Sequence, residues 1–139
     1  MTVGWFFKAL TQYADFHQRA RRREFWWFVA TAYAVQVILV GFTLVTLNNA
    51  WDGSTLDADE AGISTWIMGI GTMAVSLLLV VPYWAVTVRR LHDTDHSGWW
   101  ALFLLFFPLL IWIFACFDGT PAPNRYGPDP KELERPGVA

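Results

Sequence analysis

Three long stretches without a charged side chain dominate the 139-residue sequence, at residues 25–47, 63–88 and 99–117. Each meets the usual criterion for a membrane span, about 18 or more apolar residues in succession. A chain of this length cannot surround three such helices with enough polar protein to keep them in water. The first stretch is also too long for the apolar part of a cleaved signal peptide. The sequence therefore predicts an all-α integral membrane protein with three hydrophobic helices.

The third stretch differs from the other two because it is short and carries Pro108 at its midpoint. At 1.5 Å per residue it is about 28 Å long, which barely matches a bilayer core. Pro108 can kink a spanning helix, or it can mark the tip of a re-entrant hairpin that returns the tail to the cytoplasm. Three passes are favoured, since each hairpin arm would have only about nine residues and irregular backbone needs cover from neighbouring helices in lipid. The side of the tail stays open.

The distribution of charge predicts the orientation. Bases lie just before the first stretch, at Arg19, Arg21, Arg22 and Arg23, and just after the second, at Arg89 and Arg90. The loop at 48–62 carries acids and no base. The positive-inside rule therefore places the N-terminus and the loop at 89–98 in the cytoplasm, with the acidic loop outside. The three bases of the tail, Arg125, Lys131 and Arg135, would lie on that side only if the third stretch were re-entrant.

The two ends of the chain have their own patterns. Apolar residues at helical spacing, Phe6, Leu10, Tyr13 and Phe16, predict a short amphipathic helix that lies in the membrane interface. Residues 1–130 are expected to form a single membrane domain, and the end at 131–139 of the proline-containing tail is expected to be disordered. Cys116 is the single cysteine, which excludes an internal disulfide.

Polar chemistry is concentrated in the segment RRLHDTDHSGWW, residues 89–100. Its arginines can anchor the second span, its tryptophans can mark the interface, and Asp93, Asp95 or Ser97 can cap the next helix. Arginine can also hold a phosphate group with a bidentate fork. The residues predicted to bind an anionic headgroup or a partner are Arg19, Arg22, Arg89, Arg90 and His92. Anionic membrane lipids are thus the expected partners; a homo-oligomer is left open, and nucleic acid is not expected.

Other functions have weaker signals. His92 and His96 share a face only if the second helix continues past both, so neither a metal site nor another cofactor is expected. The sequence has no serine elbow, P-loop or HExxH motif, and no enzymatic activity is expected. The alternative function is a subunit of a small oligomeric channel or transporter, formed through the polar residues Gln36, Thr43 and Thr46 and the small residues Gly69, Gly71, Ala74 and Ser76. Close helix packing explains the small residues equally well.

Three motifs, in this order and around three apolar stretches, resemble the bacterial inner-membrane family called domain of unknown function 805. They are QRARRREFWWF at 18–28, PYWAVTVRRLHDTDHSGWW at 82–100 and GTPAPNRYGPDP at 119–130. Three residues depart from the family pattern. Gln18 and Ala122 stand where the family usually has glycine, and His96 stands where it usually has arginine or lysine.

The resemblance implies a multi-pass protein of the cytoplasmic membrane with no assigned activity, whose three polar motifs meet. Glu24 and Asp93 would then pair with arginines of other motifs. The structural network implied by this convergence comprises Glu24, Asp93, Trp99, Trp100, Asn124, Arg125 and Tyr126.

Overall fold

The computed structural model describes Phe7, residues 10–52 and residues 58–132. Within these ranges the protein is helical, without a strand; Asn124 and Gly127 form an isolated bridge. Four helices follow one another along the chain: α1 (Arg22–Trp51), α2 (Ala58–Asp93), α3 (Trp100–Phe106) and α4 (Pro108–Cys116).

Helices α1 and α2 are long and apolar enough to cross a membrane. Their 30 and 36 residues correspond to about 45 and 54 Å at 1.5 Å per residue, more than the roughly 30 Å of a hydrocarbon core. Each helix continues beyond its apolar stretch, because α1 begins before Phe25 and α2 continues past Val88. Arg22, Arg23 and Glu24 before the first stretch and Arg89 and Arg90 after the second are therefore helical.

Residues Ala30–Val80 form one of two compact units. Here α1 and α2 run antiparallel, since Gln36 Nε2 donates to Ser76 Oγ at 2.8 Å and the hydroxyls of Thr43 and Thr72 lie 2.9 Å apart. The Ser76 hydroxyl also donates to the Thr72 carbonyl at 2.7 Å. Polar side chains between apolar helices need such partners, because lipid offers them no hydrogen bond.

The second unit consists of the described residues of Met1–Val29 and Val81–Ala139. Its apolar core includes Phe25, Phe28, Val86, Leu91 and Ile111, all buried. Charged side chains are buried beside this core, which is unusual unless they are paired.

The third apolar stretch folds as two short helices, α3 and α4. They are separated at Phe107, whose backbone (φ −130°, ψ 69°) is not helical, and Pro108 is the first residue of α4. Proline disfavours helical backbone at the preceding residue, which explains the break. The ring centroids of Trp100 and Phe114 are 6.0 Å apart, whereas one continuous helix would separate these residues by about 21 Å. The chain therefore turns back on itself, in place of the single kinked helix favoured by the sequence.

Phe6 of the predicted interfacial helix lies outside the described residues, whereas Leu10, Tyr13 and Phe16 are described, and the helix does not extend to Tyr13 or Phe16. Phe7, Leu10 and Thr11 are helical, and residues 12–14 form a turn. Of the predicted disordered tail, Lys131 and Glu132 are described and follow a turn at Asp129, whose carbonyl accepts from the Glu132 backbone N–H at 3.0 Å. Residues 133–139 lie outside the described part of the chain.

Candidate functional site

Five charged side chains meet in the interior of the second unit. They are Arg19, Glu24, Arg89, Arg90 and Asp93, and together they are called the buried ion cluster below. None of the five is more than 6% exposed. The first turn of α1 supplies Glu24, and the last turns of α2 supply three of the others, so the positions follow from where the two helices begin and end.

Each carboxylate of the buried ion cluster pairs with an arginine of a different motif. Arg89 Nη1 donates to Glu24 Oε1 at 2.9 Å, and Arg19 Nε donates to Asp93 Oδ1 at 3.0 Å. Arg90 pairs with the other oxygen of Asp93, one turn away on α2. A buried charge without a counter-ion is strongly unfavourable, so removal of any one member is expected to destabilise the others.

The tail docks directly on the buried ion cluster. Arg19 donates to the carbonyls of Thr120 and Ala122 at 2.7 and 2.9 Å, and Arg90 donates to the carbonyl of Phe117. In return, the backbone N–H of Thr120 donates to the carbonyl of Asp93 at 2.9 Å. Gly119 passes so close to the Asp93 carboxylate that a Cβ there would overlap it. The tail is thus held by backbone contacts that leave no room for a side chain at residue 119.

The NRY segment of the tail packs on the end of α2. The rings of His92 and Tyr126 are stacked, with centroids 3.7 Å apart and planes 4° from parallel. Asn124 Nδ2 donates to the carbonyl of His92 at 2.8 Å, and Arg125 Nη2 donates to the carbonyl of Asp95 at 2.9 Å. All three sequence motifs therefore meet in this unit.

Helix α2 ends through backbone hydrogen bonds. Asp95 has a positive φ of 61°, its N–H donates to the His92 carbonyl at 3.1 Å, and the N–H of His96 donates to the Leu91 carbonyl at 2.9 Å. These are the two bonds of a Schellman motif. Of the residues expected to cap the next helix, Ser97 accepts a hydrogen bond on its Oγ from the Trp99 N–H at 3.5 Å, just before α3, whereas Trp99 itself supplies no side-chain cap. Asp93 is instead held by Arg19 and Arg90.

The two histidines of this segment face different partners. His92 stacks on Tyr126, whereas the ring of His96, beyond the end of α2, lies edge-on to Phe114 with centroids 5.0 Å apart. In the part of the chain that the structure describes, no group of three or more histidine, cysteine and acidic residues is arranged to hold a metal ion.

The residues predicted to bind a headgroup separate by exposure. Arg19, Arg89, Arg90 and His92 are buried, whereas the side chain of Arg22 is 41% exposed. The two tryptophans also differ, because Trp99 is 78% exposed and Trp100 packs against Phe114 and Phe103. The residues that the sequence predicts as one binding group therefore differ in their access to solvent.

A second ion group lies at the surface. Arg22 Nη1 and Lys131 Nζ both approach Asp118 Oδ1, at 2.9 and 3.3 Å, and these three residues are called the Asp118 bridge below. The hydrogen bond from Arg22, followed by that from Lys131, lowers the pKa of the Asp118 carboxyl below its usual value. Sequence reasoning missed Asp118 and Lys131, because no local pattern links them to an arginine 96 positions before Asp118.

Comparisons with known proteins agree with the three motifs. The family model described as "Protein of unknown function (DUF805)" matches residues 13–128. The inner membrane protein YhaH of Escherichia coli K12 is 42% identical over 135 residues, covering 93% of this chain and 98% of that protein. The inner membrane protein YhaI of the same organism is 36% identical, covering 93% and 97%. YiiR, named an uncharacterized protein, is 27% identical, covering 86% and 88%.

No solved structure matches the chain. The names of the family and of these relatives state no enzymatic activity. The extent of the family match, together with the identity to YhaH and YhaI, shows that the chain belongs to the DUF805 family of proteins of unknown function.

Proposed function

We propose that this protein crosses the cytoplasmic membrane through α1 and α2 and binds anionic lipid at the cytoplasmic leaflet, as a binding or accessory protein. The observation that carries the proposal is the docking of the tail on the buried ion cluster, through Arg19, Arg90 and Asp93. This docking gathers the described bases of the N-terminal segment, of the α2 end and of the tail into one unit. By the positive-inside rule, that unit faces the cytoplasm.

The same contacts support a re-entrant third stretch as part of this proposal. Arg90, at the end of α2, donates to the carbonyl of Phe117, which directly follows α4. Therefore α3 begins, and α4 ends, near the C-terminal end of α2. The fold-back between Trp100 and Phe114 supports a hairpin that enters the membrane and returns, with α1 and α2 as the two complete passes.

Two groups of arginines have different tasks in this proposal. The buried arginines are engaged by carboxylates and backbone carbonyls, so they hold the fold together. Two bases at the surface, Arg22 and Lys131, contact the headgroups. A basic residue near an anionic membrane surface contributes about 1 kcal/mol before screening by salt. Of the five residues predicted from sequence, Arg22 is the one best placed for this contact.

The alternative function, a channel or transporter subunit, has less support. The polar residues that could line a pore, Gln36 and Thr43, are hydrogen-bonded to Ser76 and Thr72 of the facing helix. These pairs explain the polar side chains by helix association alone.

Native mass spectrometry of the protein in nanodiscs tests the proposed function. The nanodiscs would contain equal amounts of phosphatidylglycerol and phosphatidylcholine, and the lipids that remain bound to the released protein would be counted. We expect phosphatidylglycerol to be enriched at low salt and the enrichment to fall at high salt, because exposed charges are screened. Equal retention of the two lipids at low salt would contradict the proposal.

A further inference from the structure

We infer that Arg22 and Lys131 form a binding site for a phosphate group, and that the Asp118 carboxylate occupies this site in the absence of phosphate. The inference rests on the proposed function and deepens it, since it names the residues and the chemical group. Phosphate can come from a lipid headgroup or from free phosphate, and the experiment below separates these sources.

The geometry of the Asp118 bridge is that of an anion held by two bases. Both bases direct their donors at one atom, Asp118 Oδ1, and they come from segments far apart in the sequence. The acid is 72% exposed, although the donors of both bases point at it. An exposed carboxylate can rotate away at little cost, so the site is open to a competing anion. The lowered pKa of Asp118 is the expected response to this local excess of positive charge.

The backbone that carries Asp118 is fixed on both sides by the buried ion cluster. Phe117 precedes it and accepts from Arg90, while Thr120 follows it and donates to the carbonyl of Asp93. The position of the acid is therefore set by the fold.

The backbone beside each base is fixed as well. Ala20, just before Arg22, donates to the carbonyl of Arg89 at 3.0 Å, and Glu24, just after it, accepts from the same residue. The N–H of Lys131 donates to the buried Asp129 at 2.9 Å. A binding site whose backbone is already ordered loses less entropy when it takes up a ligand.

Phosphate fits these donors better than one carboxylate does. The planar guanidinium of Arg22 can form a bidentate pair with two phosphate oxygens, and the Lys131 ammonium can act as a point charge on a third. Arg22 now uses Nη1 on a single oxygen of Asp118, and Lys131 shares that same oxygen. A tetrahedral group with several charged oxygens would engage both bases at once.

The chain offers a matched control in a second exposed ion pair. Arg125 Nε lies 3.3 Å from Asp95 Oδ1, and both side chains are more than half exposed. Asp95→Asn removes the same charge as Asp118→Asn, and asparagine also tolerates the positive φ at this position. Similarly, Arg125→Gln matches Arg22→Gln. Among the described residues a single base contacts the acid of the control pair, so the prediction is specific to the Asp118 bridge.

The experiment compares these variants in the nanodiscs described above, by the ratio of phosphatidylglycerol to phosphatidylcholine retained. We expect Asp118→Asn to raise the ratio about fivefold, because it frees two adjacent bases to share one phosphate group, and Arg22→Gln or Lys131→Gln to lower it by a similar factor. The Asp95→Asn and Arg125→Gln variants should change it much less. Melting temperatures of all variants should remain near that of the wild type, because exposed ion pairs contribute little to stability.

A second arm uses inorganic phosphate, added in excess to the protein in nanodiscs of phosphatidylcholine alone, with the melting temperature as the readout. A lipid site predicts changes in the first arm and none in the second. A site for free phosphate predicts a stabilisation that Asp118→Asn increases and Arg22→Gln abolishes. Either pattern supports the phosphate site and identifies its source.

Two outcomes would overturn the inference. If wild type retains phosphatidylglycerol but Asp118→Asn behaves as Asp95→Asn does in both arms, the site is refuted while the proposed function stands. If wild type shows no preference for the anionic lipid, and phosphate has no effect in any variant, the site and the proposed function fail together.

Discussion

Arg89 and Arg22 show how one residue type takes two tasks in this protein. Arg89 is 1% exposed and pairs with Glu24, whereas Arg22 reaches the surface and pairs with the exposed Asp118. Exposed pairs add little to stability, while breaking a buried pair leaves a charge without water or a counter-ion. Environment, rather than residue type, decides which arginine holds the fold.

Glu24→Gln is expected to lower the free energy of unfolding by roughly 3–5 kcal/mol, because it leaves Arg89 buried without its carboxylate. The double substitution Glu24→Leu with Arg89→Met removes both charges and should cost less than the single substitution. Thermal unfolding in a mild detergent, followed by circular dichroism, would compare the two. If the double variant were less stable than Glu24→Gln, the unpaired charge of Arg89 would not be the cause of the destabilisation.

Gly119→Ala is expected to detach the tail from the buried ion cluster, since the added Cβ would overlap the Asp93 carboxylate. Overpacking of this kind costs about 1–3 kcal/mol. The matched control is Gly41→Ala in α1, where a Cβ meets no atom within 4 Å. Limited proteolysis would measure the effect: cleavage in the tail should be faster in Gly119→Ala and unchanged in Gly41→Ala. Equal protection of both tails would count against the docking.

Acidification is expected to remove the contribution of Asp118 to stability. The pKa of this carboxyl in the folded protein lies below its usual value of 3.8, so its contribution is present above that value and is lost as the pH falls through the folded-state pKa. The difference in melting temperature between wild type and Asp118→Asn should be small at neutral pH and vanish well below pH 3.8. A difference that grows on acidification would have the wrong sign for this ion group.

At the scale of the elements, the end of α2 determines the path of the polar segment at residues 89–100. The backbone turn at Asp95, with its positive φ, directs the chain from α2 into α3. This turn requires a conformation that glycine adopts freely and that alanine adopts at a cost.

Asp95→Ala is therefore expected to be less stable than Asp95→Gly by roughly 1 kcal/mol. Both variants lose the carboxylate that contacts Arg125, so the comparison isolates the backbone. Chemical denaturation of the two variants in the same detergent would measure the difference. Equal stabilities would mean that the left-handed turn is not a constraint in solution.

The sequence predicts some of these elements and not others. Apolar stretches predict α1 and α2 because a run without charge is a local property, and Pro108 predicts the break because proline acts on its own backbone and on the residue before it. The fold-back of α3 on α4 depends on contacts such as Trp100 with Phe114, which no local pattern indicates. The cap predicted from Asp93 fails because this carboxylate is taken by Arg19, 74 positions away.

At the scale of the whole molecule, the proposed topology depends on the side of the membrane to which the tail returns. Loop charges predict the cytoplasmic side for the N-terminus and for the end of α2, and family resemblance predicts that the polar motifs meet. These two predictions do not fix the side of the tail. Its bases would lie in the cytoplasm if the third stretch were a hairpin, and outside if it were a third pass. Its contacts with Arg19, Asp93 and His92 bring the tail to the end of α2, which no local sequence pattern indicates.

Labelling of single cysteines with a membrane-impermeant maleimide would test the central proposal, that the tail returns to the side of the N-terminus. With Cys116 replaced by alanine, single cysteines would be introduced at Gln18, Asn49 and Ala122, three exposed positions. In intact spheroplasts, Asn49→Cys should react, while Gln18→Cys and Ala122→Cys should react only after permeabilisation. If Ala122→Cys reacts together with Asn49→Cys in intact spheroplasts, the third stretch crosses the membrane and the account is wrong.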